Sequence, residues 1–136
     1  MATYNKYLPG TGPLTKAMNV ATDAFKIALA TTVTNTDTTF TPGTTDLATA
    51  NGYTAGGNAA TTVSSTVTAG VMKLILSSPT AWTATGAGLS FRYVILWDST
   101  TSNPIGYWDY GSTVTLAATE TFTVTLDGTN GTFTVT

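Results

Sequence analysis

The chain has 136 residues, 42% of them hydrophobic and only 9% charged, which fits one domain with a real core and excludes a polar disordered chain. Its formal net charge is −2, and its basic residues Lys6, Lys16, Lys26, Lys73 and Arg92 are scattered, so the clustered cations that hold nucleic acid or an anionic membrane are missing. There is no His and no Cys, which removes the commonest general base, thiol nucleophiles, disulfides and imidazole or thiolate zinc sites.

Residues 1–20 read as an extended N-terminal arm and 21–136 as a single β domain. In the arm, Tyr4, Tyr7 and Leu8 alternate with polar residues, and Pro9, Gly10, Gly12 and Pro13 interrupt regular structure. Residues 14–20 are expected to form a short helix of one or two turns, with Leu14, Ala17 and Met18 on one side. Such a strip cannot build a core. It is expected to lie along a neighbouring subunit, or else to fold back over an edge strand of its own sheet. Residues 1–16 carry no apolar run of the length a secretory signal needs, and no window approaches a membrane span of ~20 apolar residues, so folding in a cytoplasm is expected.

Residues 25–32 form the first clear strand, with Phe25, Ile27 and Leu29 on one face and Lys26, Ala28 and Ala30 on the other. A Thr-rich passage follows, and Thr makes up about a quarter of the whole chain. Thr is β-branched, favours strands and solvates a surface without charge. Residues 46–50 are expected to make a short helix with Asp46 near its start. In the segment 51–57, Gly52, Gly56 and Gly57 point to backbone conformations that a Cβ would forbid. Residues 60–68 and 71–77 pair about Ala69 and Gly70, and Trp82 opens a short strand.

Residues 90–110 hold two of the three Trp and the only Arg. Phe91, Tyr93, Ile95 and Trp97 share one face and Arg92, Val94 and Leu96 the other, the mark of a central strand covered on both sides. Residues 98–104 have turn chemistry, and 105–110 return as the second strand of a hairpin. Further strands are expected at 113–116 and 121–126, with 127–131 as a hairpin loop leading into 132–136.

Eight or nine short strands at this spacing specify an all-β fold, a mostly antiparallel β-sandwich or jelly-roll-like single domain. Its expected core holds Phe25, Ile27, Leu29, Leu74, Leu76, Val94, Leu96, Phe122, Val124 and Phe133.

The remaining chemistry is seven carboxylates and many hydroxyls. Asp98 and Asp109, beside Trp97, Trp108 and Tyr110, have the types that would cleave a sugar if held ~5–10 Å apart. Asp98 is more simply read as a turn residue whose side chain accepts backbone N–H groups. The segment 127–131 has too few oxygens for a calcium loop. No metal, cofactor or catalytic residue is therefore assigned. The large rings are many for a small chain: they form one large core, or else Tyr53, Trp97, Tyr107, Trp108 and Tyr110, with Tyr4, Tyr7 and Leu8 of the arm, are candidates for an interaction surface.

Five stretches carry a family resemblance. They are Asp23-Ala24-Phe25-Lys26-Ile27-Ala28-Leu29-Ala30; Asp46 to Gly57 with its Gly52-Tyr53-Thr54-Ala55-Gly56-Gly57 loop; Phe91 to Trp97; Pro104 to Gly111; and Gly131 to Thr136. Together they resemble a family of small structural proteins encoded in the virion gene clusters of tailed bacteriophages. The resemblance implies a capsid decoration or cement protein on the virion exterior, bridging copies of the major capsid protein as a homo-oligomer or symmetric array. Other such proteins sit in necks or tails, so a receptor- or glycan-binding module of the head or tail is the alternative. The resemblance carries over no catalytic residue and no cofactor, and no enzyme activity is expected; the scattered charges argue against nucleic acid and membrane as partners.

Overall fold

The computed structural model describes residues 2–6 and 18–135. The expected helix at 14–20 lies largely outside them, as do Tyr7 and Leu8. No helix occurs among the described residues, and the chain is all-β and antiparallel.

Ten strands follow in order: β1 (Thr3–Lys6), β2 (Phe25–Ala30), β3 (Asn58–Ala60), β4 (Thr62–Thr68), β5 (Val71–Leu76), β6 (Trp82–Thr83), β7 (Leu89–Asp98), β8 (Asn103–Leu116), β9 (Thr121–Phe122) and β10 (Phe133–Val135). They form a five-stranded sheet in the order β1-β8-β7-β2-β3, a three-stranded sheet β10-β5-β4 and a two-stranded ladder β6-β9.

As the alternation predicts, β7 is the central strand of the large sheet and is covered on both faces. On one face Phe25, Ile27, Leu29, Val94 and Leu96 meet Leu74 and Leu76 of β5, Trp82 of β6, and Val124 and Leu126, giving the sandwich-like main core. Phe122 and Phe133 pack against it from partly buried positions. On the other face Ala28, Ala30, Ile95 and Trp97 are covered by Phe40, whose ring stacks on Trp97 with centroids 4.0 Å apart. The Thr-rich passage therefore serves as a lid that supplies one aromatic ring to a sheet face of small residues.

Several boundaries differ from those read in the sequence. Phe91 joins the main core with Val94 and Leu96, not the face of Tyr93 and Ile95, because the β7–β8 register shifts between Phe91 and Tyr93. Residues 105–110 and 113–116 are parts of one long strand, β8. Gly111, at φ +79°, lies in the irregular stretch that carries the strand on. Residues 60–68 divide into β3 and β4, where the chain passes from one sheet to the other at Thr61. Residues 127–131 do not join a hairpin, because β9 pairs with β6 and β10 pairs with β5. The expected helix at 46–50 is absent; Asp46 is buried and accepts N–H groups from a turn and a loop.

The arm's described residues follow the second of the two expectations. β1 pairs with β8 of its own sheet, Tyr4 opposite Trp108 and Lys6 opposite Gly106. This covers the β8 edge from Gly106 to Asp109.

Candidate functional site

Nearly all the carboxylates are engaged by the chain itself. Asp98 is fully buried; its Oδ1 accepts the Thr100 and Thr101 N–H groups and its Oδ2 accepts the Thr101 hydroxyl. Asp109 forms a two-pronged pair with Arg92, at 2.8 and 2.9 Å, and accepts the Gly111 N–H. The guanidinium, then the Gly111 N–H, holds the Asp109 carboxyl below the usual carboxylate range. Asp127 accepts the Asn130 and Thr129 N–H groups and the Asn130 amide, and these bonds lower its pKa. Asp98 is thus a turn anchor and Asp109 an ion-pair partner. Among the described residues no three acidic side chains gather where a metal ion could bind.

The aromatic candidates separate into buried and accessible groups. Tyr53, 2% exposed, and Trp97, 4% exposed, are corrections: both hold the Gly-rich loop to the sheet from within. Tyr53 Oη donates to Asp46 Oδ2 and accepts the Leu29 N–H, and Trp97 Nε1 donates to the Gly56 carbonyl. Asp46 also accepts the Gly43 and Gly56 N–H groups. Burial, followed by the bond to Asp46, pushes the Tyr53 hydroxyl well above its ordinary pKa. Gly57 closes this arrangement at φ +73°, where a Cβ would stand 1.9 Å from the Ile27 carbonyl oxygen. Direct contact of backbone with backbone thus explains Gly57, and likewise Gly52 against the Thr83 carbonyl, whereas Gly56 is required by its φ of +92°.

Tyr107 is half-buried on the smaller cluster, edge-on to Tyr93. Trp108 and Tyr110 lie on the other side of β8. With Thr123, Thr125, Asp127 and Thr132, they line an open cleft of about 470 Å³. Tyr110 is exposed to the same extent as Val71, with its ring also against Phe91 and Phe122. Of Tyr4, only the backbone pairing with Trp108 is described.

The most exposed large apolar side chains were not among the candidates. Val67 is 71% exposed and Val63 65%, both on β4, with Val71 at the start of β5. Their signal in the sequence is indirect. The run Thr62-Val63-Ser64-Ser65-Thr66-Val67-Thr68 lacks the inward apolar alternation of a half-buried strand, so its two Val have no core to enter.

No family model matches the chain, and comparison with curated proteins and with solved structures likewise gives no match.

Proposed function

We propose that this protein is a virion structural protein of a tailed phage, a decoration or cement protein that lies on the capsid exterior and stabilises the shell by bridging major capsid proteins. The observation that carries the reading is the β4–β5 hairpin, where Val63, Val67 and Val71 stand exposed on a stretch without charge. Aliphatic side chains left in water on an uncharged strand favour a covered state. The engaged carboxylates and the absence of His and Cys agree with a structural rather than a catalytic role. The mildly acidic surface suits the outside of a shell better than the side facing packaged DNA.

Virions purified with and without the protein test this. The expected result is a loss of heat and osmotic stability in its absence, restored when the pure protein is added back, with adsorption to cells unchanged. Unchanged physical stability together with lost adsorption overturns it.

That opposite outcome belongs to a second reading, a receptor- or glycan-binding module of the head or tail. The cleft beside Trp108 and Tyr110 favours it, since aromatic rings with hydroxyls and one carboxylate are the groups that hold a sugar. Under this reading Trp108→Ala abolishes adsorption and leaves particle stability intact.

A further inference from the structure

β4 is the last strand of its sheet, paired with β5 on one side and with no strand on the other among the described residues. Native proteins guard such edges with charge, Pro, a bulge or a covering segment. Here no charged residue occurs between Asp46 and Lys73, and β4 contains no Pro. Among the described residues the guard on this edge is a register shift between Thr62 and Ser64, at one end of the strand. From Ser64 to Thr68 the outer edge has no strand partner among the described residues; exposed Val67 lies on it, and exposed Val63 sits at the shift.

We propose that β4 pairs antiparallel with β4 of a second copy, about a two-fold axis through Ser65, joining two three-stranded sheets into one of six strands. The proposal rests on the structural reading above and names the partner of the surface that carries it.

The strand's own sequence argues for a second copy. Thr62-Val63-Ser64-Ser65-Thr66-Val67-Thr68 reads nearly alike in both directions. Antiparallel pairing about Ser65 sets Thr62 against Thr68, Val63 against Val67, Ser64 against Thr66, and Ser65 against itself. Aliphatic meets aliphatic and hydroxyl meets hydroxyl, which are favourable cross-strand combinations, and no like charges oppose. A charged partner strand finds no complementary charge here. A helical partner leaves the row of backbone groups unpaired. A two-fold interface also closes on itself at two copies, so an unguarded edge does not propagate into fibres. One strand pair makes a small interface, so the dimer forms in a concentration-dependent way and is favoured where copies are held close together.

Sedimentation equilibrium of the full chain over a concentration series provides the test. The wild type is expected to show a monomer–dimer equilibrium. Val63→Lys/Val67→Lys places two like-charged pairs across the axis and weakens dimerisation by about tenfold or more. Val63→Lys/Val67→Glu places opposite charges there and keeps it within a few-fold of wild type. Both positions are exposed, so unchanged melting of each variant verifies folding. Ser65→Cys supplies the only thiol in the chain. Opposed Cα atoms ~4.5–5.5 Å apart allow it to oxidise to a covalent dimer, whereas Thr36→Cys in the Thr-rich passage stays monomeric. A monomer at every concentration, or equal weakening by both charge variants, overturns the proposal. If the monomer still restores capsid stability, self-pairing fails and the virion role stands. If the dimer forms but virions lack the protein, the virion role fails and self-pairing stands.

Discussion

Tyr53 shows how one side chain connects three pieces of chain. Its hydroxyl accepts the Leu29 N–H of β2 and donates to Asp46, which in turn holds Gly43 and Gly56. Tyr53→Phe keeps the ring and removes both bonds, leaving a buried N–H without its acceptor. The expected cost is about 1–3 kcal/mol at neutral pH, measured by urea unfolding. The same hydroxyl gives an alkaline limit. Its folded pKa is raised by burial and by Asp46, so the native state keeps the proton that the unfolded chain releases near pH 10. This contribution is fully present below pH 10 and is lost as pH rises above it. In Tyr53→Phe the alkaline decline is expected to be shallower. It does not vanish, because burial also raises Tyr110.

At the scale of the element, the β4–β5 hairpin depends on its two-residue turn. Ala69 at φ +51° and Gly70 at φ +80° both occupy the left-handed region, the conformation of a type I′ turn. Gly70 adopts it freely, whereas Ala69 does so against the strain on its Cβ. Ala69→Asn replaces it with a residue that tolerates this region and is expected to stabilise the protein by about 0.5–1 kcal/mol, read as a raised Tm. A lowered Tm would show that the turn takes another form. The change also serves the dimer test, since it stiffens β4 without altering its edge.

At the scale of the whole molecule, β1 and β8 bring together residues more than a hundred positions apart, Thr3 opposite Asp109. Deleting residues 1–6 uncovers the β8 edge from Gly106 to Asp109 and removes one strand from the large sheet. The expected loss is about 1–2 kcal/mol, or roughly 5 °C in Tm, with more aggregation on heating. An unchanged Tm would mean that β1 adds nothing to the isolated domain and that its contribution comes only in an assembly.

Features that depend on neighbours along the chain were legible in the residues alone. The alternation in Phe25 to Ala30 places Ile27 and Leu29 in one core and Ala28 and Ala30 in the other. The turn at Asp98 and the glycines of 51–57 were legible because side-chain capping and positive φ are local demands. Which strand joins which became clear only from the folded chain. Residues 121–122 and 133–135 look like two arms of a hairpin, yet they pair with β6 and β5, because strand pairing is fixed by burial across the whole core. The same holds for the aromatic residues. Trp97 and Trp108 have like chemistry in one hairpin, but Phe40, dozens of residues away, stacks on Trp97 and buries it, while Trp108 borders an open cleft. Exposure is a property of what the rest of the chain covers, and no local pattern carries it.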